Sequence, residues 1–375
     1  MKLLLTVTVI ILVYVLQKSL FRHYWDKGLE ARIDFDKEYI ECGESAHLYE
    51  HISNEKLLPL PIFHMKFSID RSFVFDASDN SNVSDLFNRT DTFSIMGNQR
   101  IERTLGFIAK KRGFYGIERE SILVKDFFLI DTYARNIPPS AKIYVFPEKK
   151  RSKSFDDIVR GIQGELEKNR GLITDVLMLR GIRDYGNRDS FRYINWKKSA
   201  REDKLKVNEY AYTSDMSVRI ILNLDVDNML ETNRIYEESI SVASSLKDAF
   251  LKEGMRVSFM SNATLQSGEA LSDIAPGGEM SHSVTIDKAL SLISGTLQKD
   301  NTLKKIDNEM KRGTEAVYYV IISPYYKEDL LQKIDIMRKK GIGVSFVVPY
   351  FDKIGLEKRR DYIIGWEVPV NDISS

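Results

Sequence analysis

From Ser217 onward the chain alternates short, almost wholly apolar runs with amphipathic ones, and that rhythm admits few folds. Ser217-Val-Arg-Ile-Ile-Leu-Asn-Leu224 reads as a strand covered on both faces and ends in Asp225. Arg234 to Lys252 then carries Ile235, Ile240, Ala243, Leu246, Ala249 and Phe250 at helical spacing, Gly254 closes it, and Met255 to Met260 is the next strand. Ile286 to Leu297 is expected as a further helix, Ala316 to Ile322 as a buried strand, Glu328 to Lys340 as a helix stopped by Gly341, and Val344 to Val348 as another strand. Strands alternating with helices in this way predict an α/β domain with a doubly wound parallel sheet.

The other end of the chain answers to a different solvent. Leu3 to Leu16 is apolar apart from Thr6 and Thr8, and the run reaches Phe21 if Gln17 and Lys18 extend toward water. At 1.5 Å per residue the shorter run covers about 21 Å, against a hydrocarbon core of roughly 30 Å. No small-x-small cleavage site follows, and Lys18 to Trp25 has the Lys, Arg, Tyr and Trp content of an interfacial anchor, so a retained transmembrane helix in contact with lipid through residues 3–21 is expected over a cleaved signal or a peripheral helix. Lys18, Arg22 and Lys27 after the span, against Lys2 and the terminal amine before it, favour a single-pass chain in the cell membrane with its bulk in the cytoplasm. The net charge of +1 supplies no global attraction to nucleic acid, and the single Cys42 excludes an internal disulfide.

Between these ends, Gly28 to about Pro147 reads as short strands punctuated by Gly and Pro. Ala31 to Phe35 and Ile62 to Ile69 alternate, Leu58-Pro-Leu-Pro61 is a turn or an edge, and Ile122 to Val124 and Lys142 to Phe146 are strand-like, a pattern that predicts a β-sandwich. The resulting division is residues 1–27 for the helix and juxtamembrane segment, 28–147 for the sandwich, 148–175 for a linker with a short amphipathic helix, and 176–375 for the α/β domain with the segment that introduces it.

That segment, Gly181 to Tyr210, is locally basic, with nine Lys/Arg against four Asp/Glu between Arg180 and Lys206. If Asp189 or Ser190 caps a helix there, Arg192, Asn195 and Ser199 share a polar face while Tyr193, Trp196 and Ala200 share the opposite one. Arg183, Tyr185, Asp189, Arg192, Ile194, Trp196, Ser199, Ala200 and Arg201 stand at the spacing R-x-Y-x-x-G-D-x-x-R-x-I-x-W-x-x-S-A-R, with Arg188 in place of the Gly before the aspartate and a Gly at 186 instead. In this the chain resembles the bacterial family called domain of unknown function 58. Lys111-Arg-Gly-Phe-Tyr-Gly116, Val124-Lys-Asp-Phe-Phe128 and Val145-Phe-Pro147 resemble further landmarks of that family, although Phe127 and Leu129 stand where its Asp-Pro-Phe-Gly has Pro and Gly. The resemblance implies a von Willebrand factor A-like domain and a role as adaptor or scaffold beside a MoxR-type AAA+ ATPase. It also implies two amino-terminal spans, of which this chain has one.

Motifs for chemistry are sparse. A von Willebrand factor A domain that binds Mg²⁺ places D-x-S-x-S after its first strand, whereas Asp225-Val-Asp227-Asn-Met229 lacks both hydroxyls, so a degenerate metal site at Asp225 and Asp227 is expected. His47 and His51, four apart in a strand, lie roughly 13 Å from each other and cannot share a metal, and His64 lies beyond. There is no phosphate loop, nucleophile elbow, HExxH or G-x-G-x-x-G, and no cofactor is expected. For the basic-aromatic segment three readings stand: a paired charge network with Trp196 and Tyr193 packed beneath it, a docking face for a partner, or an anion site built from Arg183, Arg188, Arg192, Lys197, Lys198 and Arg201. The expectation is a non-enzymatic, membrane-anchored adaptor that does not bind nucleic acid. The alternatives are a metal- or phosphate-dependent enzyme and an envelope-facing binding module.

Overall fold

The computed structural model describes residues 2–76, 81–172, 179–186, 194–202, 204–210, 217–225, 232–297, 301–312, 317–351 and 360–369. The chain is mixed α/β and divides into two compact units, Met1–Glu148 and Lys149–Ser375.

The first unit opens with one helix, Lys2–Tyr24, whose 23 residues rise about 34 Å, long and apolar enough to cross a membrane. Leu3, Leu4, Leu5, Ile10, Ile11, Leu12 and Leu16 are all well exposed, so the helix is apolar around its whole circumference. Its two threonines keep their hydroxyls inside the helix, Thr6 donating to Lys2 O (2.9 Å) and Thr8 to Leu4 O (2.8 Å). The last turns behave differently. Phe21 is buried, Trp25 just beyond the helix is nearly so, and both rings lie against Tyr133 of the β structure, at 5.6 and 5.7 Å.

Two antiparallel sheets follow. One runs in the order Leu29–Phe35, Ser45–Asn54, Gln99–Ala109, Phe73–Phe75, and the other Thr132–Ile137, Arg119–Lys125, Leu60–Asp70, Leu86–Ile95, Ser81–Val83. Strict alternation along Ser45–Asn54 turns Ala46, Leu48, Glu50, Ile52 and Asn54 inward. Those side chains share one core with Phe63, Met65, Phe67 and Ile69 of the other sheet, in which Phe75 stacks on Phe87 at 4.6 Å. A smaller three-stranded sheet pairs Lys142–Phe146 with Tyr39–Glu41 and Gly113–Gly116. Charge also lies inside: Asp91 is fully buried and receives Arg89 at 2.6 Å and Arg103 at 3.0 Å. Beside them burial, and then the Asp91 charge, pushes the Glu50 carboxyl up to about 8.

In the second unit six strands form one sheet: β1 (Ser217–Leu222), β2 (Arg256–Ser261), β3 (Ile274–Gly277), β4 (Val317–Ile322), β5 (Val344–Tyr350) and β6 (Ile363–Glu367). Their order is β3-β2-β1-β4-β5-β6, parallel throughout except for β3 at one edge. Helices α1 (Thr232–Lys252) and α2 (Met280–Leu292) cover one face with a connector helix, Lys153–Leu172, whose Phe155, Ile158, Ile162 and Leu166 join Ile240, Leu246, Phe250 and Leu290 over Ile220, Val257 and Val320. On the other face Ile306 of α3 (Asn301–Arg312) and Leu330, Ile334 and Met337 of α4 (Glu328–Lys339) meet Ile221, Tyr319, Ile321 and Phe346. Alternate residues of each strand thus serve opposite layers.

The helix expected to run to Leu297 stops at Leu292. Ile293 turns extended (φ −60, ψ 124) and Ile293–Leu297 pairs instead with Ala263–Leu265, because the Ile-Ser-Gly-Thr run has no apolar repeat to continue the buried helix face. The entry to the unit is fixed by a buried charge network. Lys149 Nζ reaches Asp248 (2.7 Å) and Asp287 (2.9 Å), and Lys247 Nζ, with no solvent exposure, reaches Asp287 (2.6 Å) and donates to Ser283 Oγ (2.7 Å). Burial opposes the charge on Lys149, yet the two aspartates hold its ammonium above the usual lysine range; at Lys247 burial wins and moves it below.

Candidate functional site

The carboxyl ends of β1, β2 and β4 meet where the strand order reverses, the place at which open α/β sheets receive ligands. Here that place is filled by neutral amides and hydroxyls. Asn223 Oδ1 accepts from Asn262 Nδ2 (2.7 Å), Thr302 Oγ1 (2.8 Å) and the Asp225 amide (3.3 Å), while its Nδ2 donates to Ser323 Oγ (3.0 Å). Asn262 Oδ1 in turn accepts the Leu224 amide at 3.0 Å, and Ser323 Oγ accepts the Tyr325 amide at 3.0 Å. All four side chains are buried and both polar side-chain atoms of Asn223 are engaged. The chemistry of such a node is to lock strand ends together: a hard cation requires oxygen acceptors turned toward it, and this amide oxygen already receives three donors. Among the described residues no three His, Cys, Asp or Glu side chains come together as metal ligands. Asp227 lies outside the described residues. His47, His51 and His64 do not converge; they face Asp36, Glu102 and Thr92.

The basic-aromatic segment folds as a hairpin, Leu179–Asp184 paired antiparallel with Lys206–Tyr210, and a short helix, Trp196–Glu202. Asp189, Ser190, Arg192, Arg188 and Tyr193 lie outside the described residues. Asn195 is what starts the described helix. Its Oδ1 accepts the Lys198 amide (2.9 Å), its own amide donates to Lys206 O (2.8 Å), and its Nδ2 donates to Asn208 Oδ1 (2.7 Å), so one side chain caps the helix and ties it to the hairpin. Ser199 repeats the tie: its hydroxyl donates to Asn195 O and accepts the Lys206 amide, both at 2.8 Å. Ile194 is buried and bridges to Val207, and the Tyr185 amide donates to Leu205 O at 2.9 Å.

Among the described residues, Lys206 is a centre of charge pairing in this segment. Its ammonium lies 2.6 Å from Asp184 and 2.9 Å from Glu202, which raises the lysine and holds both carboxyls below their usual range. Arg183 and Arg201 are exposed, Arg183 donating to the Asp184 carbonyl at 3.1 Å, and Ala200 is exposed as well. Trp196, which packs beneath the segment in one of the three readings and faces a partner in another, is 66 % exposed. The segment therefore carries the Trp196 indole and the Arg201 side chain outward on a helix fastened at both Asn195 and Ser199, and the Arg183 side chain outward on the hairpin strand. The sequence places Asn195 and Ser199 on one face and reads Leu205 to Tyr210 as a half-buried strand, close to the observed Lys206–Tyr210, but it assigns Lys206 and Asn208 no part in the site; an Asn directly before Trp-Lys-Lys-Ser-Ala-Arg was the capping signal.

No family model and no curated protein matches the chain. Solved structures that are similar over part of it include the sixth cohesin of scaffoldin B from Acetivibrio cellulolyticus, at 12 % identity over 32 % of this chain and 99 % of that one, with a TM-score of 0.25. A non-cellulosomal cohesin from Archaeoglobus fulgidus matches at 10 % identity over 31 % and 91 %, TM-score 0.22. The major pilin SpaD from Corynebacterium diphtheriae matches at 8 % identity over 33 % and 39 %, TM-score 0.23. Scores of this size carry no argument about fold or function.

Proposed function

We propose that the chain is a membrane-anchored, non-enzymatic adaptor of the domain of unknown function 58 type, and that the signature hairpin is its docking face for a MoxR-type AAA+ ATPase. The observation that carries this reading is Trp196: a large aromatic side chain held outward on a braced helix, next to exposed arginine, has the composition of an interaction hot spot. The order β3-β2-β1-β4-β5-β6 with an antiparallel edge strand supports a von Willebrand factor A-like domain, and the amide node at Asn223 stands where such a domain would hold its cation. The all-round apolar helix Lys2–Tyr24 supports a single span, with the bulk of the chain in the cytoplasm as the charge bias around it favours.

The test is a binding titration of the purified ATPase against the full chain in detergent. Trp196→Ala combined with Arg201→Ala is expected to weaken binding about tenfold or more. Undiminished binding by a doubly substituted chain as stable as the parent would remove the docking role. Accessibility of an engineered loop cysteine to an impermeant reagent applied outside intact cells decides the sidedness.

A further inference from the structure

Val83, Val74 and Tyr39 are exposed singly on the first unit, but six further apolar residues are exposed together. Phe127, Phe128, Leu129 and Ile130 are 45–66 % exposed, and Leu57 and Met96 are exposed at 84 % and 66 %. Strand register puts all six at one end of the two sheets: Leu29 pairs with Asn54, Leu60 with Ile95 and Ile62 with Lys125, so the turns 55–59, 96–98 and 126–131 neighbour one another and the junction of the N-terminal helix.

These turns are built to hold that shape. Asn54 Nδ2 donates to Leu58 O (3.0 Å) and Met96 O (2.8 Å), the Asn98 amide to Lys56 O (3.0 Å) and the Glu55 amide to Gly28 O (2.7 Å). In the third turn the buried Asp126 accepts the Ile130 amide at 2.9 Å, and Leu129 is held at φ +60, a left-handed conformation unfavourable for a branched side chain. Glycine would take that conformation without the steric cost. This turn keeps a leucine, exposed, and lies along the membrane-length helix: Phe128 sits 6.1 Å from Tyr14, Phe127 5.8 Å from Phe21, and Asp131 receives Tyr14 Oη (3.1 Å) and the Lys18 ammonium (2.9 Å). Tyr14 to Phe21 is where the apolar run gives way to Lys18 and Arg22, the boundary of the hydrocarbon for a spanning helix.

We propose that this end of the β unit is a membrane-seating face, with the turn Phe127 to Ile130 inserted into the bilayer interface beside the helix. The occupant follows from continuity, since the turn extends the lipid-contacting surface of the helix at the depth where aromatic and apolar side chains partition into the head-group boundary. The proposal rests on the spanning reading of the helix and adds a second point of contact to it.

The experiment places an environment-sensitive fluorophore on the full chain, in a Cys42→Ser background, at Ile10→Cys, Ile130→Cys or Val83→Cys, the last being at the opposite end of the sheet. Each protein is reconstituted in phosphatidylcholine/phosphatidylglycerol vesicles bearing nitroxides at shallow or deep acyl positions. Position 10 is expected to be quenched by deep nitroxides, position 130 by shallow ones, and position 83 by aqueous iodide alone. If position 10 is quenched by lipid while position 130 behaves like position 83, the seating face is refuted and the span stands; if position 10 escapes lipid quenching, both fall. Leu129→Gly supplies an independent arm: it is expected to raise the stability of the β unit while reducing lipid quenching at position 130, whereas a residue with only a structural role in the turn would leave that quenching unchanged.

Discussion

Glu50 shows what a single misplaced-looking residue does to the molecule. Its carboxyl lies in the core between the sheets beside Asp91, pushed up to about 8 by burial first and by that charge second. An unfolded glutamate ionises near pH 4.3, so from about pH 4.5 to 8 the unfolded chain releases a proton that the folded chain keeps. The penalty is absent below that window, grows as pH rises through it and is complete above it. Glu120, raised to about 7 by burial, tilts stability in the same direction over a narrower range. Glu50→Gln is therefore expected to stabilise the β unit at pH 8 by on the order of 2 kcal/mol and to leave it nearly unchanged at pH 4.5. Hydrogen exchange along Ser45–Asn54 at the two pH values measures this, and equal protection of parent and variant at pH 8 would show that Glu50 does not set the slope.

Among the elements, α1 and α2 are joined by charge as much as by apolar packing. Asp287 is the acceptor shared by Lys149, Lys247 and Ser244, so Asp287→Ala leaves two buried ammonium groups with the half-exposed Asp248 as their one carboxylate partner and is expected to cost about 3 kcal/mol, whereas Lys247→Met leaves Asp287 paired with Lys149 and costs much less. Urea unfolding of the two variants, followed through exchange in α1, checks the ranking; equal losses would place the network's weight elsewhere. These ties were invisible in the sequence, because Lys149 meets Asp287 across 138 positions and only a fold brings them together. The strands β1, β2, β4 and β5 were legible, since an apolar run buried on both faces needs no partner to declare itself. Helix α3 carried Leu303, Ile306 and Met310 at helical spacing yet escaped notice among its charges, and the short edge strand β3 and the terminal strand β6 offered no alternation long enough to read. At the candidate site the residue types were legible and their exposure was not: an aromatic at helical spacing looks the same whether it faces a core or water, and the amide node joins residues 223, 262, 302 and 323 from four separate stretches.

For the molecule as a whole, the helix Lys2–Tyr24 has two jobs that divide along its length. Up to Leu16 the helix is exposed apart from the half-buried Tyr14, which touches Phe128 and Asp131 at the surface, while Phe21 and Trp25 complete the core of the β unit. A chain starting at Gln17 is expected to keep the melting temperature of that unit, and one starting at Asp26 to lose it, since removing a buried Phe or Trp costs about 3–5 kcal/mol. Calorimetry of the two shortened chains in the same detergent decides it; a chain starting at Asp26 that melts with the parent would mean the rings contribute nothing. The aromatic joint has a mechanical meaning too. On the spanning reading proposed above, a slack leash would let the β unit sample a hemisphere of heights above the bilayer, whereas a stem socketed into that unit by Phe21 and Trp25 would hold it at a constant altitude, turning only about the axis of the stem. Encounters with anything confined to the same sheet of lipid are then a search in two dimensions, and each rotation of the stem sweeps the β unit through the same shallow ring.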